Sequence, residues 1–176
     1  MDDQAAIERC QAGNADAFRH IVEQYQAEAM GHALAILGNR EDAEDAVQEA
    51  FVKAFRALRR FEHDRRFYPW FYTILRNCCF KIAARRPTAA GEAEPPPGIL
   101  AAVPDEDGER QSRLLEKALL RLSAEDRELI TLKHLDGLSY AALAERLEIP
   151  AGTVMSRLYH ARQRLRTEVN HLSEET

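Results

Sequence analysis

The last third of the chain contains a helical pattern whose free face carries arginines and no acid. In residues 151–166, AGTVMSRLYHARQRLR, the apolar side chains recur at the spacing of one buried helical stripe. They are Val154, Leu158, Ala161 and Leu165. Guanidinium groups bind phosphate oxygens, and side chains on such a helix can reach base edges in the major groove. The pattern therefore predicts a helix that binds duplex DNA.

The residues predicted to face DNA are those that the buried stripe leaves outward. They are Met155, Ser156, Arg157, Tyr159, His160, Arg162 and Arg166, with Gln163 and Arg164 beside them. A short helix capped by Ser139 precedes this one, and the two are joined by a turn at Pro150, which gives them the proportions of a helix-turn-helix. Periodicity alone leaves one alternative open, an ordinary basic surface helix in a bundle.

A second informative cluster lies between Phe51 and Phe80, which holds nine of the thirteen aromatic residues, interleaved with arginines. Aromatic faces stack on unpaired bases at ~1–3 kcal/mol each while arginines follow the backbone, so this composition suits single-stranded DNA. We expect residues 61–68 to form a pocket between two helices. The candidate contacts are Arg65, Arg66, Phe67, Tyr68 and Asn77. Helical spacing instead predicts that Phe51, Phe55 and Phe71 only pack in the core.

Charge is distributed along the chain in blocks. Residues 1–50 carry three basic and eleven acidic side chains, residues 51–86 carry ten and two, and residues 87–112 carry one and six. Each block acts locally, because its field reaches only ~8–10 Å at physiological salt. The formal net charge of -5 therefore does not exclude nucleic-acid binding. The acidic N-terminal block predicts a partner of a different kind.

Helical periodicity runs through both halves of the chain, and neither half shows strand alternation. The predicted helices cover residues 14–38, 41–58 and 69–86 in the first half, and 114–122, 123–136, 139–147 and 151–166 in the second. In the helix at 41–58 an apolar stripe leaves another face free, which carries Asp45, Gln48, Glu49 and Val52.

Between the two halves, residues 87–110 lose the periodicity and hold five of the seven prolines. A structureless stretch of about 24 residues is unusual inside one compact domain, so we predict a flexible acidic linker. The predicted fold is all-α, with two small helical domains at residues 1–86 and 111–176. The C-terminal domain ends in the helix-turn-helix.

Other classes of protein lack their signatures here. There is no HExxH motif, glycine-rich phosphate loop or nucleophile elbow, so the sequence predicts no enzyme, no metal site and no cofactor. A receiver domain of the response-regulator type would need alternating strands and helices. The three cysteines suggest reduced thiols, and Cys78 lies on a buried stripe, which favours packing over redox sensing. No apolar run reaches the ~20 residues of a membrane span, so no membrane insertion is expected.

The segment GLSYAALAERLEIPAGTVMSRLYHARQRLR resembles the -35 recognition domain of bacterial sigma factors of the extracytoplasmic-function (ECF) group, within the sigma-70 family. The matching residues are Gly137, Ser139, Tyr140, Ala144, Pro150, Gly152, Thr153, Val154, Ser156, Arg157, Ala161, Arg162 and Leu165. The resemblance implies that Thr153 joins the DNA-binding residues. Met155 and His160 stand where basic residues are frequent in the family, so we expect a distinct -35 preference.

Two N-terminal segments resemble the other domain of the same family. DAEDAVQEAFVKAF is similar to the segment that docks on the clamp helices of RNA polymerase, which implies polymerase binding by Asp45, Gln48, Glu49 and Val52. RRFEHDRRFYPWFYTILRN is similar to the segment that melts and reads the -10 element. That second match adds Trp70 and Arg76 to the single-strand contacts.

The resemblance implies a transcription initiation factor that binds core RNA polymerase, recognises duplex -35 and single-stranded -10 promoter DNA, and promotes melting. It also implies an anti-sigma factor as partner, and a cytoplasmic protein that such a factor can hold at the membrane. From the residues alone, the alternative is a helix-turn-helix transcriptional regulator with an N-terminal protein-interaction domain.

Overall fold

The computed structural model of the chain describes residues 2–62, 65–85, 106–134 and 136–175. In these ranges all regular structure is helical, which confirms the predicted all-α class. The α-helices are α1 (Asp3–Gln11), α2 (Phe18–Leu37), α3 (Arg40–Ala57), α4 (Phe67–Arg85), α5 (Glu106–Leu120), α6 (Ala124–His134), α7 (Tyr140–Leu147) and α8 (Ala151–Glu174). Within the described residues no helix combines bilayer-spanning length with a sufficiently apolar sequence.

The ends of the helices follow local capping chemistry. The hydroxyls of Ser123 and Ser139 accept backbone N–H groups at 3.2 and 3.1 Å, so the predicted cap at Ser139 is present and Ser123 caps α6 in the same way. The side chain of Asn39 does the same for α3 at 2.9 Å. Gly38 ends α2 with a φ of 67°, and its N–H donates to a carbonyl of the last turn at 2.7 Å. These caps separate α2 from α3 and α6 from α7 sharply.

In the N-terminal half, α2 and α4 both pack on α3. The buried side of α3 is lined by small residues, Ala43, Ala46, Ala50 and Ala54, which let the neighbouring helices approach closely. Aromatic rings fill the remaining space, and Phe51 stacks on Phe71 with ring centroids 4.5 Å apart. This three-helix core positions the arginine-rich segment that follows α3.

In the C-terminal half, α5 and α6 pack against α8, and α7 closes over the start of α8. The core side chains there are Leu119, Leu129, Leu132, Leu143, Val154, Leu158 and Ala161. The same contiguous core continues into the N-terminal half, because α6 lies against α2. The two halves are therefore packed together.

Two boundaries differ from the sequence prediction. The predicted linker at 87–110 ends early, because residues 106–110 already belong to α5. A helix needs no apolar residue in its first turn, so an apolar stripe alone places its start too late. The helix α1 was not predicted, since Ala6 and Ile7 are its only buried residues and cannot define a period. Residues 86–105, the rest of the predicted linker, lie outside the described residues.

Gly38→Ala should lower the free energy of unfolding by about 1–2 kcal/mol, because an L residue is strained at this positive φ. The added Cβ would also lie 2.7 Å from Leu120 Cδ2, which must then move. Gly31→Ala is the matched control: it lies inside α2 with open space around a Cβ, so it should stabilise by about 0.5–1 kcal/mol. Urea unfolding measures both, and an unchanged midpoint for Gly38→Ala would contradict the strain.

Candidate nucleic-acid and polymerase interfaces

The helices α7 and α8 form the predicted helix-turn-helix. Leu143 of α7 is fully buried, as are Val154 and Leu158 on the inner face of α8. The turn between the helices passes through Glu148, which has a positive φ of 54°, and Pro150, which precedes the first residue of α8. This packing fixes which side of α8 is free.

The outward row of α8 is exposed as predicted. Met155 and Tyr159 keep 57% and 59% of their surface accessible, an unusual exposure for side chains of this size. The predicted DNA-facing residues that are exposed are Met155, Ser156, Arg157, Tyr159, His160, Arg162 and Arg166, while Thr153 is half-buried. The structure thus brings this set together on one accessible helical face.

The arginines of α8 are not equivalent. Arg164 forms a two-pronged ion pair with the buried carboxylate of Asp126 in α6, at 2.6 and 2.7 Å, which commits it to holding α8 on α6. Arg162 lies 3.2 Å from Nε2 of His134. Burial, together with the charges of Arg162 and Lys133, lowers the pKa of His134, so the neutral ring can accept from Arg162. A phosphate would compete easily with such a weak, exposed partner.

The aromatic segment at 61–72 is more deeply buried than a base-stacking surface would be. Phe67 and Tyr68, both predicted DNA contacts, are only 3% and 7% exposed. They stack on Tyr25 with ring centroids 5.5 and 5.0 Å away, so they complete the core of the N-terminal half instead of lining an open pocket. Trp70 is half-buried beside Phe61, with centroids 4.9 Å apart.

The polar members of this segment remain at the surface. Arg65, Arg66 and Asn77 are exposed, and Arg76 is partly so. Part of the predicted pocket at 61–68, residues 63 and 64, lies outside the described residues. The described surface here is a basic rim, formed by Arg65, Arg66 and Arg76, around an aromatic core. Such a surface suits binding of a nucleic-acid phosphate backbone better than enclosure of several bases.

Arg76 has a partner that the sequence did not reveal. Its Nε donates to Glu128 of α6 at 2.7 Å, and the Tyr72 hydroxyl donates to the same oxygen at 2.8 Å. Burial raises the pKa of Glu128, and the hydrogen bonds from Arg76 and Tyr72 oppose that rise. No local pattern in the sequence indicates this pair. In the structure residues 126 to 132 are all buried, so the polar side chains among them must find partners.

The predicted polymerase-binding face borders an apolar groove of about 540 Å³ between α2 and α3. Its walls include Val22, Met30 and Val47, with Gln48 and Val52 from the predicted set. Val52 is 44% exposed and Asp45 lies exposed on the same helix. An open apolar groove beside polar groups is the usual form of a helix-binding site.

Glu49 is separate from this groove. It pairs with Lys53 at 2.8 Å and with Lys81 of α4 at 3.2 Å, and these bonds lower its pKa. The structure therefore groups Gln48 and Val52, with Asp45 nearby, and directs Glu49 towards α4. Among the described residues no cluster of His, Cys, Asp and Glu could hold a metal ion.

Comparison with known proteins identifies both halves of the chain. Residues 21–86 match the model of sigma-70 region 2, and residues 112–165 match sigma-70 region 4. The ECF RNA polymerase sigma-E factor of Haemophilus influenzae is 34% identical, with 98% of this chain and 97% of that protein covered. The chain belongs to the ECF RNA polymerase sigma factors. The corresponding protein of Escherichia coli K12 is 36% identical over 98% of this sigma factor.

Solved structures agree with that assignment at the level of fold. The sigma factor RpoE of Bartonella quintana, solved with the anti-sigma factor NepR, superposes with a TM-score of 0.63 at 28% identity, covering 87% of this chain and 96% of that one. CnrH, solved with the cytosolic domain of CnrY, gives a TM-score of 0.65 at 24% identity, covering 96% and 97%. This chain is thus a transcription initiation sigma factor, as its sequence motifs implied.

Of the three cysteines of this sigma factor, Cys10 lies in α1, and Cys78 and Cys79 lie in α4. Cys78 and Cys79 are fully buried, and Cys10 is half-buried. Burial raises the pKa of all three thiols. Because the thiolate is the reactive form, a raised pKa makes these thiols less reactive than a free cysteine.

We expect an aromatic disulfide reagent, which reacts with free thiols, to modify Cys10 alone in the native protein and all three cysteines after unfolding in urea. The physical reason is access, since Cys78 and Cys79 expose no surface to the reagent. Absorbance of the released thiolate counts the reacted groups, and mass spectrometry of alkylated peptides locates them. Rapid native labelling of Cys78 would revive a redox-sensing role for α4.

Proposed function

We propose that this sigma factor directs core RNA polymerase to promoters by three surfaces: the outward face of α8, the basic rim around α4, and the groove between α2 and α3. The observation that carries the proposal is the exposed row on α8, which joins aromatic and arginine side chains on the outer helix of a helix-turn-helix. The polymerase supplies the chemistry, and this chain, acting without a catalytic site of its own, supplies recognition.

At the -35 element, α8 enters the major groove of duplex DNA. Residues near its start, from Thr153 to His160, reach base edges, and Met155 and Tyr159 provide the apolar and aromatic contacts. Arg157, Arg162 and Arg166 bind phosphates and set the register. Arg164 is outside this set, because its guanidinium holds Asp126.

At the -10 element, the basic rim binds the displaced single strand. Arg65, Arg66 and Arg76 grip phosphates, while Trp70 and Asn77 meet the bases. The burial of Phe67 and Tyr68 supports a role beneath the DNA, where they hold Trp70 and the rim in place. This differs from the contacts expected from sequence, which put both rings against bases.

The groove between α2 and α3 binds a helical element of the polymerase. Its apolar walls suit the apolar face of a helix, and Asp45, which is exposed on α3, suits a basic residue of the same partner. We assign residues 1–86 to the domain that makes the polymerase and -10 contacts, and the C-terminal unit from residue 106 onwards to the -35 contact.

Regulation by an anti-sigma factor is part of the proposal. RpoE of Bartonella quintana was solved with such a protein, which supports the same class of partner here. A membrane-bound anti-sigma factor would hold this chain, otherwise cytoplasmic, at the membrane. Its binding surface would overlap the polymerase groove, so the two partners would compete.

The test of this function is transcription by purified core polymerase on a pool of random DNA fragments, with and without this protein, with start sites sequenced. Discrete starts that share two spaced motifs support the proposal and yield the promoter preference. If the protein binds duplex DNA but no start depends on it, a helix-turn-helix regulator with an N-terminal interaction domain becomes the better description.

Asp45→Arg should weaken binding to core polymerase by roughly tenfold, because it reverses an exposed charge on α3, the helix that forms one wall of the docking groove. Titration of labelled protein with core polymerase measures the effect, and circular dichroism confirms unchanged helicity. Glu8→Arg makes the same reversal on an exposed position of α1, away from the groove, and should bind as wild type. Equal affinities for the two variants would remove Asp45 from the interface.

Arg162→Ala should reduce the affinity for mixed-sequence duplex DNA. It should also reduce the magnitude of the slope of log affinity against log salt concentration by about one, as expected when one phosphate contact is lost. Fluorescence anisotropy at several salt concentrations gives the slope. Arg19→Ala, an exposed arginine of α2, is the control and should leave the slope unchanged. A loss confined to one base position would reassign Arg162 to base reading.

A further inference from the structure

The N-terminal helix α1 has no part in the three surfaces proposed above, yet it is anchored to the segment that carries the basic rim. It packs on α2 and on the short 3-10 turn Leu58–Arg60, which follows α3. That turn leads through Phe61 to Arg65 and Arg66 of the rim. The buried residues of α1 are Ala6 and Ile7 alone, so polar contacts at its ends matter for how it is attached.

The first polar contact is made by Gln11, the last residue of α1. Its side-chain amide donates to the Leu58 carbonyl at 2.9 Å and to the Phe61 carbonyl at 3.1 Å. An amide nitrogen carries two hydrogens, which gives one for each carbonyl. Leu58 is also the C-cap of α3, and carbonyls at a helix end lack partners within that helix. Gln11 therefore fixes the backbone of the turn at two points.

Phe61 transmits this constraint to the -10 contacts. Its side chain is 5% exposed, and its ring centroid lies 4.9 Å from that of Trp70 and 6.0 Å from that of Phe67. Trp70 is the ring proposed to meet the bases, and it rests against Phe61. Because Gln11 holds the Phe61 backbone, the position of Trp70 depends on that amide. A contact group that is held in place before binding loses less conformational entropy when DNA arrives.

The second polar contact lies at the opposite end of α1. The Tyr25 hydroxyl of α2 donates to the carboxylate of Asp3 in the first turn of α1. The Tyr25 ring in turn stacks on Phe67 and Tyr68, with centroids 5.5 and 5.0 Å apart. The two ends of α1 thus brace the same segment, one from its entry at Phe61 and the other from the buried rings beneath it.

We propose that Gln11 is a positioning residue of the basic rim. By holding the backbone at residues 58–61, it keeps Phe61 against Trp70 and sets the direction in which the chain enters Arg65 and Arg66. It acts through Phe61 and touches no nucleotide itself. This inference rests on the proposed function of the rim in binding the -10 strand.

The test uses the full-length chain with Gln11→Met, which keeps the reach of the side chain and removes both N–H donors. Ile7→Val is the matched control, because it trims one buried carbon from the same helix and leaves both hydrogen bonds of Gln11 in place. Urea unfolding shows how far each change lowers stability. Any effect on DNA binding is then compared at a known loss of stability.

Three readouts separate positioning from general stability. The first is the affinity for a fluorescent 12-nucleotide single strand of random sequence. The second is the affinity for mixed-sequence duplex DNA, which the proposed function assigns to α8. The third is the fluorescence emission of Trp70, the one tryptophan of the chain, whose contact with Phe61 it reports directly.

We expect Gln11→Met to bind the single strand about three- to tenfold more weakly, the factor that corresponds to one net hydrogen bond. Its duplex affinity should equal that of wild type, and its Trp70 emission should move to longer wavelength as water reaches the indole. Ile7→Val should match wild type in all three. Unchanged emission, unchanged single-strand affinity or an equal loss of duplex affinity would overturn the proposal.

Gln11→Asn replaces the first variant should Gln11→Met lose helicity. It keeps the amide but is one methylene shorter, so it cannot hold both carbonyls and should give smaller changes in the same direction. Wild-type values in every readout would contradict the positioning role. If the wild-type chain binds no single strand, the proposed -10 function of the rim is wrong, and Trp70 emission alone then decides whether Gln11 positions it.

Discussion

Arg127 and Glu128 are neighbours on α6, and both are almost completely buried, a placement that is costly unless each charge has a partner. Their partners are found in the N-terminal half: the Ile36 carbonyl for one, and Arg76 with Tyr72 for the other. The packing of the two halves is therefore required by the chemistry of α6. Without that contact, two buried charges would lose their partners and would need water.

The preceding residue, Asp126, extends the same constraint to α8. Consecutive residues of a helix point about 100° apart, so Asp126, Arg127 and Glu128 project to three different sides of α6. Asp126 holds Arg164 of α8, Arg127 caps α2, and Glu128 holds Arg76 of α4. A single turn of α6 thus links α8 to two helices of the opposite half, α2 and α4.

Features set by local sequence were predictable, and those set by packing between the halves were not. The caps at Ser123 and Ser139, the end of α2 at Gly38 and the outward row of α8 follow from spacing and short-range chemistry. The burial of Phe67 and Tyr68 does not, because composition cannot distinguish an aromatic core from an aromatic binding surface. The Arg76–Glu128 pair joins residues 52 positions apart, and no local rule connects such positions.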